Sequence, residues 1–543
     1  MRKIILVLVY LIIGHYTVIA QCDFSIPAGT FLIDGDQTNY PPGSTLCLEA
    51  GQKDYLLIKN LHGTINAPII IRNYQGAVKI ETTHYYGVKI SNCSFIQFSG
   101  SGAPTLPHGI QILRVDNGTG ISVTDLSTDI EIDHIEIANT SIAGVYAKSE
   151  PNCLFNSTRD KFTMYNFSLH DCYLHDIADE GLYIGSSKYT GQTINCNGKD
   201  TTVLPHVIIG ARIFNNLVEN TGWDGIQVSS AENDCRIYGN TVRHDSEEEY
   251  TYQMSGILIG GGSRCDCYNN QIFDGKGDGI DILGLGDMKV YNNLIVNAGR
   301  TYKPENPNEF KHGIYIGQSV TNPDASFHVF NNTIINPKSN GVKYANEEAM
   351  VASFVNNLIT NPGRLATEGE QAYINGNQQA ITKTTNLFSS INSSVLFLNQ
   401  LPYLFDLLPN SPAVNTGSDI SALGINFDAI NRSRPFHTYV DIGAFECHDP
   451  YASIKTNNTD SLTLFPNPAI QLLKVTCSFS LSEVLAIQII NSEGILLCAN
   501  CPVQFVDDHS FQLEVYSFKS GFYLLEVITS KNKYRQAFIV KTQ

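Results

Sequence analysis

The chain has 543 residues, 43% of them hydrophobic, enough for one large domain and a smaller one. Its formal net charge of -17 argues against binding a phosphate backbone, because the protein would repel nucleic acid. The acidity leaves open neutral sugars, or acidic ones bound through a cation or a local basic patch. Residues 1–20 begin with Met1-Arg2-Lys3, continue as an apolar run from Ile4 to Ile13, and end in Val18-Ile19-Ala20. A charged start, a short apolar stretch and small residues before a cut describe a secretory signal peptide. Gln21 before Cys22 fits a lipoprotein cleavage site badly, and no later stretch is long and apolar enough to span a bilayer. The expected location is therefore secreted or cell-surface. Thirteen cysteines suit an oxidising compartment, with Cys22–Cys47 and Cys498–Cys501 as candidate pairs and structural roles expected throughout. Cys498-Ala-Asn-Cys501 lacks a second ligand pair for zinc, and Cys265-Asp-Cys267 is too tightly spaced for a metal knuckle.

Residues 21–400 repeat. Six segments share one pattern: Ile213-Phe-Asn-Asn-Leu, Ile237-Tyr-Gly-Asn-Thr, Cys267-Tyr-Asn-Asn-Gln, Val290-Tyr-Asn-Asn-Leu, Val329-Phe-Asn-Asn-Thr and Phe354-Val-Asn-Asn-Leu. The last Asn of each falls at intervals of 24, 30, 23, 39 and 25 residues, periods that signal a stacked solenoid. Asn is a poor strand former but suits a buried turn, where amides can bond from coil to coil. A second polar column follows four residues later, at Asn220, His244, Asp274, Asn297, Asn336 and Asn361. Both columns read as structural ladders. Downstream of each Asn comes a Gly-apolar-x-apolar strand, as in Gly225-Ile-Gln-Val, Gly256-Ile-Leu-Ile, Gly279-Ile-Asp-Ile, Gly313-Ile-Tyr-Ile and Gly341-Val-Lys-Tyr. Earlier copies begin at Gly87, Gly109, Gly144 and Gly181. Alternation places the apolar pair inside and the middle residue outside. The expected fold class is all-β: a parallel β-helix solenoid followed by a small C-terminal β-sandwich.

This pattern resembles the right-handed parallel β-helix families that include pectate lyases and polygalacturonases. The resemblance implies the fold and a carbohydrate-active setting, and it does not specify the chemistry. Residues 401–450 are similar to a closing segment found after such bacterial helices, with Ser411-Pro-Ala-Val-Asn-Thr-Gly417 and Asp441-Ile-Gly-Ala-Phe-Glu446. There it would cover the last apolar layer, with Asp428, Arg434, Asp441 and Glu446 as structural residues. A polar linker spans 451–461. Residues 462–543 open with Leu462-Thr-Leu-Phe-Pro-Asn-Pro468 and carry Gly521-Phe-Tyr near the end. They are similar to the C-terminal sorting domain of the type IX secretion system. That likeness implies a Gram-negative host, export through the periplasm, and the type IX machinery as a partner.

Two loops leave the solenoid at one turn. The step from the ladder Asn to the strand Gly is nine residues in three coils, but sixteen from 240 to 256 and twenty from 293 to 313. The extra residues lie around Arg243–Tyr250 and Arg300–Glu309, where loops gathered on one face would wall a binding surface. The residues before each Gly form a column of Tyr86, His108, Ala143, Glu180, Asp224, Ser255, Asp278, His312 and Asn340. The outward column reads Lys89, Gln111, Tyr146, Tyr183, Gln227, Leu258, Asp281, Tyr315 and Lys343. Coils stack about 4.8 Å apart, so neighbouring entries come close enough for carboxylates to work together.

The candidate catalytic residues are therefore Asp224, Asp278, Asp281, His312, Glu180 and Lys311. Tyr183, Trp223, Gln227, Tyr315, Lys343 and Arg300 are candidate substrate contacts, the aromatics as flat faces for sugar rings. Crowded carboxylates can split into one protonated acid and one ionised base or nucleophile, as glycoside hydrolysis requires. Asp278-Gly-Ile-Asp281 with Lys311-His312-Gly313 resembles the paired Asp and Gly-His-Gly elements of polygalacturonases. It departs from them in that the Asp residues are not adjacent, no Gly precedes His312, and no Arg-Ile-Lys follows. The plainer reading is that acidic residues beside Gly solvate a turn or bind calcium at a coil edge. A lyase would use a basic residue such as Lys311, Lys343, Lys276, Arg243 or Arg300 with a calcium ion on the acidic column. Cleavage of a polysaccharide in an acid-lined groove ranks first, with hydrolysis ahead of elimination. The alternative is a non-catalytic glycan-binding protein or adhesin. Calcium is the one cofactor the column would take, and no dedicated metal ligands are assigned.

Overall fold

The protein is described by a computed structural model, in residues 22–376, 381–399, 405–436, 438–447, 462–467, 469–491, 496–498, 501–519, 521–529 and 533–541. The signal peptide and linker expected at 1–20 and 451–461 lie outside the described residues. The chain divides into two compact units, 1–397 with 406–448, and 398–405 with 449–543.

The first unit is a parallel β-helix. One face is a 12-stranded parallel sheet, to which successive coils contribute single short strands such as Leu182–Ile184, Ile226–Val228, Ser255–Ile259, Asp278–Ile282, Ile314–Ile316 and Val342–Tyr344. Most other strands of the coils belong to a 23-stranded sheet that bends at the asparagine corner, as between Arg212–Phe214 and Leu217–Thr221, and Thr163–Tyr165, Val207–Ile209 and Ala231–Asn233 form a three-stranded sheet of their own. Register is kept from coil to coil: Ile226 pairs with Ile257, Ile257 with Ile280, Ile280 with Ile314 and Ile314 with Val342. These side chains are fully buried. Stacking like upon like gives each aliphatic layer roughly 1.5–3 kcal/mol per side chain.

Two corners fix the coil. At the first, Asn216, Asn240, Asn270, Asn293, Asn332 and Asn357 are buried, and each donates its Nδ2 to the Oδ1 of the next at 2.9–3.0 Å. Asn357 passes the chain to Asn386, at 3.0 Å, which the sequence pattern does not reveal. The second polar column also pairs: Asn297 donates to Asp274, Asn336 to Asn297 and Asn361 to Asn336, and these residues have positive φ. At the other corner coils approach so closely that glycine is required. A Cβ on Gly279 would sit 2.5 Å from the Gly313 carbonyl oxygen, and one on Gly225 2.7 Å from that of Gly256.

Two expectations for the early coils are corrected. His108 and Gln111 do not belong to the columns, because Ile110–Val115 lies in the larger sheet. Tyr86 and Lys89 pair instead with Thr119 and Ser122, placing Gly120 where Gly109 was expected. Spacing misassigned this coil because both strands carry an alternating apolar pattern after a glycine.

The closing segment runs along the flank of several coils and does more than cap the end. Ladder-edge Asn292, Asn331 and Asn356 donate to backbone carbonyls of Phe427, Asp441 and Ser418. Arg434 is buried, donates to the Asp441 and Gly443 carbonyls, and pairs with Glu446 at 3.4 Å. Asp428 accepts from the backbone of Ile430, Arg432 and Glu446. Cys22 and Cys47 form a disulfide, as do Cys153–Cys196 and Cys235–Cys265. Cys498 and Cys501 are unbonded, contrary to the expected pair. The Cys501 Sγ approaches the Cys498 carbonyl at 3.7 Å, and the two thiols interact without a bond between them.

The second unit contains two four-stranded antiparallel sheets that share one core. Leu473, Val475, Phe511 and Leu513 of one pack with Ile487, Ile489, Leu525 and Val527 of the other.

Candidate functional site

The chemistry-bearing residues sit on the glycine corner and on the outward row of the smaller sheet. In the outward row Tyr183 pairs with Gln227, Gln227 with Leu258, Leu258 with Asp281, Asp281 with Tyr315 and Tyr315 with Lys343. At the corner, backbone bonds pass from Gly181 to Asp224, Gly225 to Ser255, Gly279 to His312 and Gly313 to Asn340. One coil step separates neighbours in each row, about 4.8 Å.

Asp278 is the most constrained of these groups. It is 7% exposed, its Oδ1 accepts the His312 backbone N–H at 2.5 Å, and its Oδ2 takes the Lys311 Nζ at 3.1 Å. Lys311 also donates to the Met254 carbonyl at 3.2 Å. Burial alone would lower the Lys311 pKa, but the charge of the Asp278 carboxylate and its hydrogen bond hold it above the usual lysine value. Asp281, three residues on, behaves differently. Its Oδ1 is buried without a hydrogen-bond partner, and burial followed by the Asp278 charge pushes its carboxyl up to about 8. Both causes favour its protonated form.

Asp224 is wholly buried. One oxygen accepts from the Ser255 hydroxyl at 2.9 Å and the other has no partner, and burial raises its pKa well above the carboxylate range. Gln227, expected on the outside, is buried as well, and its Oε1 is also unpartnered. Glu180 lies three coil steps from Asp278 along the corner, with its carboxyl raised by burial to about 7. His312 accepts the Asn340 N–H on Nδ1 at 3.3 Å and stacks near Tyr315, ring centroids 5.8 Å apart. Burial lowers its pKa to about 4, so it is a neutral imidazole with the proton on Nε2.

The structure thus brings Asp224, Asp278, Asp281, Lys311, His312 and Tyr315 into one electrostatic neighbourhood. It adds Asp245, which sequence reasoning missed although it lies in the first inserted loop. Asp245 is buried, raised by burial to about 6, and acts on Asp224 through its charge. A lone Asp in a loop of variable length gives no periodic signal. One face of Trp223 is taken: Tyr250 from the same loop stacks on it at 4.3 Å and 11°. Tyr183 belongs to a separate cluster, where its hydroxyl meets Lys148 Nζ at 3.2 Å and Ser187 Oγ at 2.9 Å. In that cluster Lys148 pairs with Glu150 at 2.8 Å and Tyr146 donates to Glu150 at 2.6 Å. Arg300 stands exposed on the second loop, and Lys343 donates to Asn375 at 2.9 Å.

Carboxylates and an amide oxygen are the donors calcium takes. Oxygens of Asp224, Asp278 and Asp281 nevertheless do not converge as a preformed cage. Among the described residues only Glu131, Asp133 and His170, on the larger sheet, bring three ligand atoms within 4.8 Å of one another.

A right handed beta helix region matches over residues 119–294 and again over 166–388, and a secretion system C-terminal sorting domain over 463–541. No curated protein matches the chain. Among solved structures, pectate lyase Pel9A is similar at 13% identity and TM-score 0.40, over 76% of this chain and 89% of that one. The GH136 lacto-N-biosidase from Eubacterium ramulus is similar at 14% identity and TM-score 0.41, over 65% of this chain and 63% of that one. The Azotobacter vinelandii mannuronan C-5 epimerase AlgE6 A-module gives 13% and 0.32, over 64% and 91%. Likenesses this distant carry nothing about the site.

Proposed function

For a chain that belongs to the right-handed β-helix proteins and ends in a secretion-system sorting domain, we propose that it is an exported enzyme cleaving a polysaccharide along the smaller sheet. In this reading the chain leaves a Gram-negative cell through the periplasm and the type IX system, which uses the C-terminal domain as its address. The observation that carries the catalytic reading is the unlike condition of two carboxyls on one strand. Asp281 keeps its proton, with one oxygen unpartnered, while Asp278 is held as an ion pair by Lys311 and by the His312 N–H. A glycosidase needs that division: Asp281 as the acid that protonates the leaving oxygen, Asp278 as the ionised partner. Neutral His312 and Tyr315 line the next coil as sugar contacts.

A second reading is elimination, in which Lys311 would first have to give up the proton that its ion pair with Asp278 favours. In a lyase it would take the proton beside a uronate carboxylate, and a calcium ion on the acidic column would supply charge neutralisation. Incubation with plant and algal polysaccharides separates the readings. Hydrolysis releases reducing ends with no unsaturated product; elimination gives both together. Binding with no product on any polymer would overturn the enzyme reading in favour of a glycan-binding surface protein.

A further inference from the structure

The larger sheet carries a second cluster of chemistry-bearing side chains, used neither by the asparagine ladder nor by the smaller sheet. Strands Ser94–Ser99, Thr128–Asp133 and Ser168–His170 stack in register, with Gln97 beside Glu131, Ser99 beside Asp133 and Asp133 beside His170. Alternation keeps Ile130 and Ile132 in the core and puts Glu131 and Asp133 on the opposite face. One ligand atom from each of Glu131, Asp133 and His170 lies within 4.8 Å of the others. Ligands of a zinc ion, about 2.0–2.2 Å from it, sit roughly 3–4.4 Å apart, so small side-chain rotations close the set.

The surrounding bonds fit a coordinated histidine. His170 Nδ1 meets the Asp171 carboxylate at 2.7 Å, and its ring stacks on Phe214 at 4.4 Å and 14°, so the imidazole is fixed in plane and direction. In the neutral ring Asp171 takes the Nδ1 proton, and the Nε2 lone pair then faces Glu131 Oε1 at 3.3 Å. Those are two acceptors, which a cation between them satisfies, and a carboxylate on the other ring nitrogen is the usual outer partner of a metal-bound histidine. Ser99 and His134 hold Asp133 through Oδ1, both at 2.6 Å. Asp133 Oδ2 and Glu131 Oε1 face the Gln97 amide at 3.4 and 3.1 Å, and that amide, turned about, offers its oxygen as a fourth ligand. Among the described residues no lysine or arginine pairs with Glu131, Asp133 or Asp171, whose ion-pair partners are His134 and His170. Arg212, two strands on in the Glu131 row, is engaged by Asp234 at 2.7 Å. Three carboxylates thus meet with no permanent cation paired to them. A cavity of about 460 Å³ opens beside Glu131 and Gln97 and gives an ion its way in.

We propose that Glu131, Asp133 and His170, with the turned Gln97 amide, bind one divalent transition-metal ion, zinc by preference, that staples three successive coils of the larger sheet. An imidazole among oxygen ligands selects zinc over calcium, which takes oxygens alone. The ligands converge only in the folded chain, so the ion stabilises the solenoid by mass action. The site lies on the larger sheet and does not depend on whether the smaller one cleaves a polymer.

The test takes the full exported protein, strips it with a chelator, dialyses it against zinc or calcium, and measures bound metal by elemental analysis. Wild type should retain about one tight zinc equivalent, held about a hundredfold more tightly than calcium, and its denaturant midpoint should rise with zinc. Glu131→Gln and His170→Gln should each lose that equivalent together with the midpoint shift, and Asp171→Asn should weaken zinc about tenfold. Glu131 is half-exposed, so the metal-free midpoint of Glu131→Gln should match wild type and separate loss of the ion from loss of the fold. Zinc uptake equal in wild type and both ligand variants, whether nil or retained, overturns the site, as does calcium bound as tightly as zinc.

Discussion

The asparagine corner and the glycine corner are both polar, both buried and both stacked coil upon coil, yet their hydrogen bonding differs completely. Along the first, every amide from Asn216 to Asn357 finds the next, and the backbone carbonyls behind them are met as well, as when Asn270 donates to Ile237. Along the second and the row beside it, Asp224, Gln227 and Asp281 each keep an oxygen without a partner. Buried polar atoms are nearly always satisfied in folded proteins, and the exceptions mark places with another use. One corner holds the coils together, and the other is where the proposed chemistry would sit. Substitutions at the two should therefore have opposite signatures.

The largest expected effect is at Asp278. Asp278→Asn should slow cleavage about a thousandfold, within the usual range for loss of an acid–base partner. It should also lower stability, because Lys311 loses its counterion; initial rates and denaturant midpoints read the two effects separately. Asn270→Ala should do the converse. It strands a buried carbonyl and two neighbouring amides, costing about 3 kcal/mol or more by denaturant unfolding, while per-molecule turnover stays near wild type.

The pH dependence of stability sharpens the contrast. Asp281 lies at about 8 when folded and about 3.9 when unfolded. Between those values the folded state binds the extra proton, so this stabilisation is full at about pH 4, falls as pH rises, and is gone above about 8. Glu180 acts in the same direction up to about 7. Denaturant midpoints should therefore decline between these limits in the wild type, and less steeply in Asp281→Asn. The smallest effect is at the rim: Tyr250→Ala should lower stability by about 1 kcal/mol by removing the stack on Trp223, read from denaturant midpoints, with turnover unchanged.

Much of this architecture was legible because it is periodic. Repeated Asn and Gly report contacts that each coil makes identically, so the ladder and the strand after each Gly could be read directly. What failed to show was aperiodic. Asp245 sits in a loop that occurs once, the Lys148–Glu150 pair has no counterpart in other coils, and the coil at residues 109–124 offered two alternating strands where one was sought. Burial was the other hidden quantity. Spacing put Gln227 on an outer face, and nothing in the local sequence says that this face is covered there; the same ignorance hid Tyr250 over Trp223.

The proposed cleavage depends on Asp281 as a proton donor, and its rate against pH, wild type beside Asp281→Asn on the polymer cut fastest, tests that role most directly. The wild-type rate should fall above about pH 8 as the donor ionises, and the variant should be about a thousandfold slower with that limb absent. A variant that cleaves at the wild-type rate with the same alkaline limb would contradict it.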